Sequence, residues 1–273
     1  MPEAERPIEP AISVRDLVVS YDGRRVLDGI NLDVVQGETM VLLGGSGSGK
    51  STLLRHIIGL ERPHEGQIVV RGTNLAEAKP AELKNLRRSI GVAFQNAALF
   101  NSMSVEENIA LPLREHTNLA ESTIRLMTWL KLAVVGLAEF GKLSPQQLSG
   151  GMKKRAAVAR ALALDPDILV FDEPSAGLDP IVAAELDELI LGLKRAFSMT
   201  VVVVTHEMSS AFRIADRMAM LYKGTLIAVG TKEEFRTNPH PRIRQFLDRV
   251  PDQISDTAPV ETYFERYLEG KAV

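Results

Sequence analysis

The sequence predicts an α/β fold built on a parallel sheet, with a helical block set into it. Three observations carry that expectation. From residue 168 onward apolar strands alternate with a helical pattern: ILVFDE (168–173), VAAELDELILGLKRAF (182–197) and TVVVVTHE (200–207). Such alternation places helices on the faces of a parallel sheet. Earlier, the short apolar strand ETMVLLG (38–44) runs into a glycine-rich loop, and KSTLLRHIIGL (50–60) follows with helical spacing. Between these two regions, residues 97–165 carry few strand signals and end in QQLSGGMKKRAAVARALAL (146–164), a run rich in strong helix formers.

The remaining elements follow in chain order. Residues 1–10 form a proline-containing lead-in. ISVRDLVVSY (12–21) and VLDGINLDVV (26–35) read as strands on either side of the turn signal Asp22-Gly23. QIVVRG (67–72) and SIGVAFQ (89–95) are further short strands. The expected organisation is one domain over 1–250, with its core at 11–96 and 165–250 and a helical subdomain at about 97–164. A C-terminal extension, 251–273, follows. It holds Asp252, Asp256, Glu261, Glu265 and Glu269 against Arg266 and Lys271, and pairs Tyr263 with Tyr267 and Phe264 with Leu268 at i, i+4. The segment reads either as a solvated tail or as a short helix that docks an aromatic face, on a partner.

Bulk properties exclude several classes. A formal net charge of −3 over 273 residues lacks the basic excess of a nucleic-acid binder. The absence of cysteine rules out disulfides and thiolate metal sites. No apolar run reaches the roughly 18–20 residues of a membrane span, and MPEAERPIEP has no apolar core of a secretory signal. Any membrane part of the system is expected on another chain.

Gly44-x-x-x-x-Gly49-Lys50-Ser51 matches the phosphate-loop pattern in full. Gly44, Gly45, Ser46, Gly47, Ser48 and Gly49 let backbone N–H groups converge on a β-phosphate at a helix N-terminus whose dipole favours anions. Lys50 is expected on the β- and γ-phosphate oxygens, Ser51 on Mg²⁺ and Thr52 on the α-phosphate. Asp172 closes an apolar strand and suits the metal, directly or through water. Glu173, one residue on, is the candidate general base for an attacking water. Taken alone, Gln95 and His206 are weak signals. Yet Gly44, Gln95, Asp172 and His206 all follow apolar strands, and a parallel sheet presents those carboxyl ends to one crevice.

Six motifs in order resemble the ATP-binding subunit of an ABC transporter: GGSGSGKST (44–52), Gln95, LSGG (148–151), ILVFDE (168–173), SAGLDP (175–180) and His206. The resemblance spans about residues 11–235. It implies a RecA-like phosphate-loop core with an antiparallel β subdomain and the inserted helical subdomain. It makes Glu173, His206 and Gln95 catalytic, adds Gln95 to Ser51 and Asp172 at the metal, and puts Tyr21 on the adenine ring. It also explains the second glycine loop. Two copies face head to tail, and Ser149, Gly150, Gly151, Met152 and Asp179 of one copy meet the ATP of the other. Ser149 as N-cap and two small glycines suit a helix N-terminus aimed at a γ-phosphate.

Met152 stands where most members of the family have glutamine, and Lys153-Lys154-Arg155 follow it. With FQNAALF (94–100), PLREHT (112–117) and NPHPRIRQFLDR (238–249), this resembles the ATPases of Mla/Mce phospholipid transport systems. Implied partners are a second copy of the chain, a transmembrane permease dimer, a periplasmic MCE-domain protein and a small cytoplasmic STAS-domain subunit, with no nucleic acid. The implied location is the cytoplasmic side of the inner membrane, through the permease. The alternatives are another importer or exporter, such as one for amino acids, and a soluble single-unit assembly ATPase. A phosphate-loop kinase has no need of LSGG, Glu173 and His206.

Overall fold

A computed structural model describes residues 10–251, so the pairs Tyr263/Tyr267 and Phe264/Leu268 lie outside the described residues. The described residues fall into two compact units, divided between Thr237 and Asn238.

In the first unit, β1 (Pro10–Tyr21) and β2 (Arg24–Val35) make an antiparallel hairpin. Its turn, Asp22-Gly23, has positive φ at both residues (49° and 77°), the backbone that matches the twist of paired strands. β4 (Glu65–Val70) and β5 (Thr73–Asn74) complete an antiparallel sheet in the order β2-β1-β4-β5.

The second sheet contains β3 (Thr39–Leu43), β6 (Ile90–Ala93), β7 (Ile168–Asp172), β8 (Thr200–Val204), β9 (Arg217–Tyr222) and β10 (Thr225–Thr231). Its order is β10-β9-β3-β8-β7-β6, parallel except for β10, which returns antiparallel beside β9. Every residue of β3 and β8 is buried, as continuous apolar strands covered on both faces must be. Helix α1 (Lys50–Ile57) lies in the core that joins the two sheets. Leu53 and Ile57 cluster with Leu17, Ile30 and Ile68 of the first sheet and with Leu42, Val170 and Val202 of the second. Phe171 of β7 is fully buried. Its replacement by alanine should lower the unfolding free energy by about 3–5 kcal/mol in denaturant titration, since the side chain is lost and a cavity remains.

The 97–164 stretch is helical. After α2 (Pro80–Arg88) and β6 come α3 (Val105–His116), α4 (Glu121–Val134) and α5 (Gly150–Ala161), with two short 3₁₀ turns before α5. A capping box starts α3. The Ser104 hydroxyl accepts from the Glu107 N–H at 3.2 Å, and the Glu107 carboxylate accepts from the Ser104 N–H at 2.7 Å. A second, smaller cluster of Ala110, Leu113, Ile124 and Ala163 holds α3, α4 and the turn just after α5 together. α6 (Pro180–Phe197), α7 (Met208–Ile214) and α8 (Lys232–Thr237) complete this unit. In the second unit, α9 (Pro241–Leu247) has proline at its first turn, and its cap is the His240 ring, whose Nδ1 accepts from the Arg242 N–H.

Candidate functional site

The loop 44–49 joins β3 to α1, and its shape depends on glycine. Gly44 (φ 150°) would drive a Cβ into the Leu221 carbonyl and the Ser48 side chain, and Gly49 (φ 105°) would drive one into Leu27. The turn between β9 and β10 braces the loop, because the Gly224 N–H donates to the Ser48 carbonyl at 3.1 Å. The Lys50 ammonium is buried and folds back over the loop, donating to the carbonyls of Gly44 at 2.7 Å and Gly45 at 3.0 Å. The Ser48 hydroxyl is buried with no hydrogen-bond partner. A glycine cradle, an orphaned hydroxyl and a buried ammonium at a helix N-terminus fit a nucleotide's phosphates.

β7 and β8 deliver the next residues beside the loop. Asp172 is the last residue of β7, and Glu173 follows with φ 48°, left-handed backbone in a residue with a side chain. Its N–H donates to the Val204 carbonyl at 2.8 Å, which fixes the turn against β8. His206, two residues beyond β8, places Nδ1 2.9 Å from Glu173 Oε2. Burial pushes the Asp172 carboxyl above its ordinary range, and the neighbouring Glu173 adds to this, while Lys50, Arg55 and Lys154 oppose it. Burial likewise lowers the Lys50 and Lys154 ammonium groups, and the charges of Glu173 and Asp172 act against that shift. Cations and carboxylates therefore share a half-dry space where their interactions are stronger than in water.

Gln95 stands exposed two residues beyond β6, so the strand stops short of the Gln95 to which its apolar pattern extends. Its tie to the site is through the backbone: Lys154 of α5 donates to the Gln95 carbonyl at 2.5 Å and to the Glu173 carbonyl at 3.1 Å. In the sequence, Lys154 stands only as the middle of the basic run Lys153-Lys154-Arg155. Ser51 is exposed, Thr52 half-buried. Ser51, Gln95 and Asp172 offer oxygen donors, which suit a small hard cation that keeps waters and phosphates as further ligands. Among the described residues no group of three or more His, Cys, Asp and Glu forms a metal cage. Tyr21, at the end of β1, is partly exposed, and its hydroxyl donates to Glu61. Burial first, and that carboxylate second, raise the phenol's pKa.

The second glycine loop is built as a helix start. Ser149 caps α5, its hydroxyl accepting from the Met152 N–H at 3.3 Å, and Gly150 is exposed. Gly151 packs against Val182 and Gly150 faces Leu178, so this loop and SAGLDP form one continuous surface. Asp179 caps α6, with Oδ1 accepting from the N–H groups of Ile181 at 3.0 Å and Val182 at 3.1 Å. The fold thus gathers the expected residues into two groups: the phosphate loop with Asp172, Glu173, His206 and the Gln95 backbone, and the α5 start with Asp179.

A phosphate loop followed by this strand order and a capped LSGG helix defines an ATP-binding cassette, and the chain belongs to the ABC transporter family, whose profile matches residues 27–176. It is an ATP-binding, ATP-hydrolysing subunit of a transporter. Among relatives, it is 40% identical over 248 residues to the intermembrane phospholipid transport system ATP-binding protein MlaF of Escherichia coli, covering 91% of this chain and 92% of that one. It is 43% identical over 246 residues to the probable ribonucleotide transport ATP-binding protein mkl of Mycobacterium leprae, covering 90% and 71%. Among solved structures, it resembles the dimeric, post-hydrolysis cassette MJ0796 bound to ADP and Pi, with a TM-score of 0.74 and 31% identity over 81% of this chain and 98% of that one. It also resembles cbiO1 of Clostridium perfringens, part of the cbiONQ transporter, with a TM-score of 0.78 and 30% identity over 89% and 97%.

Proposed function

We propose that this chain powers phospholipid transport between two membranes, working as an ATP-sandwich homodimer on the cytoplasmic side of the inner membrane. The observation that carries the lipid reading is the 40% identity to MlaF over nine-tenths of both chains. The ribonucleotide reading rests on a slightly higher identity to mkl, but to a longer protein of which 71% is matched. Among the described residues no helix is long and apolar enough to cross a membrane, so a permease dimer supplies that part. An MCE-domain protein and a small STAS-domain subunit complete the assembly. On α4, Leu126, Trp129, Leu130 and Val134 form an exposed apolar stripe at helical spacing, which supports a protein-bound state.

In this reading Tyr21 stacks on the adenine, and the 44–49 backbone with Ser48, Lys50 and Thr52 holds the phosphates. Ser51, Asp172 and Gln95 would hold Mg²⁺, which would neutralise the charge that develops on the phosphate oxygens. Glu173 takes the proton of the water that attacks the γ-phosphorus, as the bond to the ADP oxygen breaks. His206 orients Glu173 through the 2.9 Å contact. Ser149, Gly150, Gly151 and Met152 of one copy, with its Asp179 turn, close over the ATP of the other, so ATP acts as the adhesive of a two-fold dimer. Purification of the native complex with its membranes, followed by lipid analysis, tests the assignment. It should recover a permease, an MCE-domain protein and phospholipid. Recovery of a solute-binding protein with an amino-acid permease, of nucleotide cargo, or of soluble partners alone would sink it.

A further inference from the structure

Helix α5 does more than present its N-terminus. Lys154, on its second turn, donates to both the Gln95 and the Glu173 carbonyls, at 2.5 and 3.1 Å. Six residues on, the half-buried Arg160 guanidinium donates to the carbonyls of Ala98 at 2.6 Å and Ala97 at 3.0 Å. The backbone held in this way is strained. Ala97, Ala98 and Glu173 all have positive φ (59°, 50° and 48°), which residues with a Cβ adopt only when their surroundings impose it. One rigid helix therefore fixes the turn after β6 and the turn after β7, the two segments that carry Gln95 and Glu173.

The same helix begins at Ser149-Gly150-Gly151. We infer that Lys154 is a positioning residue that couples the two ATP sites of the dimer, by transmitting movement of the α5 N-terminus to the Gln95 and Glu173 turns of its own copy. The inference rests on the composite-site reading above. When the α5 start of one copy engages the γ-phosphate held by the other, the helix shifts as a body. An ammonium tied to two carbonyls then carries both turns with it. A methionine at this position has similar length and no N–H to donate, so the helix and the turns move independently. Arginine retains the charge and enough donors for both carbonyls.

Steady-state ATP hydrolysis of the full-length chain, in complex with its native membrane partners, tests this in wild-type, Lys154→Met and Lys154→Arg forms. Wild type should show a Hill coefficient for ATP clearly above one, bounded by the two sites. Lys154→Met should lower kcat by about tenfold, the order expected of a catalytic group slightly out of place, with KM for ATP changed by less than about twofold. Its Hill coefficient should fall to about one, and Lys154→Arg should restore both kcat and cooperativity. A wild-type coefficient of one, or a Lys154→Met chain that keeps its cooperativity, overturns the coupling role. So does a loss of kcat accompanied by equal loss of ATP binding and a lower Tm that arginine does not correct. The dimer reading is checked separately with Glu173→Gln. If that variant stays monomeric in ATP, the composite site itself fails; if it dimerises while Lys154→Met remains cooperative, only the role of Lys154 fails.

Discussion

A Glu173→Gln chain is expected to bind ATP, dimerise and stall. The substitution keeps the shape of the side chain and leaves an amide able to contact His206, now 2.9 Å from the carboxylate. What it removes is a group that accepts a proton from water. General bases contribute about 10²–10⁴-fold to rate, so phosphate release should fall by that order while nucleotide affinity stays close to wild type. With hydrolysis blocked, ATP remains between the two copies, and light scattering should report a dimer that persists until ATP is removed. Hydrolysis near the wild-type rate would remove Glu173 as the base and direct attention to another acceptor in the site.

Lys50→Ala is expected to fail one step earlier, at binding. The ammonium is buried at the start of α1, beside the Gly44 and Gly45 carbonyls. In that setting a hydrogen bond to a charged phosphate oxygen contributes about 1.5–3 kcal/mol, and alanine supplies nothing in its place. ATP affinity measured by calorimetry should weaken roughly 10–100-fold. Tm without nucleotide is measured alongside, since the substitution also removes the hydrogen bonds to the Gly44 and Gly45 carbonyls. Unchanged affinity would refute its phosphate role. The two variants thus separate the halves of the chemistry: one retains ATP and cannot cleave it, the other barely retains it.

The two glycine loops were legible in the sequence for local reasons. The apolar run ETMVLL, the glycine-rich GGSGSG and a helical pattern opening with Lys50 are properties of one short stretch. The same holds for α5, whose cap Ser149 and helix formers lie side by side in the chain. The edge of β6 was less legible. The apolar pattern of IGVAFQ runs on to Gln95, but the ladder with β7 ends at Ala93, and Phe94 and Gln95 leave the sheet exposed. Hydrophobic alternation reports which side chains suit a sheet; it does not report where the neighbouring strand stops. Lys154 illustrates the other gap. Lys153-Lys154-Arg155 reads as one basic run, yet Lys154 donates to carbonyls 59 and 19 residues away, and Arg155 pairs with Glu185 at 2.7 Å.

The sequence by itself determined the α/β class, from strands and helices that alternate over 168–207, and the phosphate loop, the capped LSGG helix and the strand-end acids, each from periodicity or spacing within about a dozen residues. The tertiary structure decided which of these meet. The order β3-β8-β7-β6 sets Glu173 beside His206 across 33 residues of chain, and the packing of α5 on β6 brings Lys154 to the Gln95 and Glu173 carbonyls. Contacts of that kind arise when strands distant in sequence pair in a sheet and a helix covers them. They follow from how apolar faces are buried together, which no local stretch of sequence records.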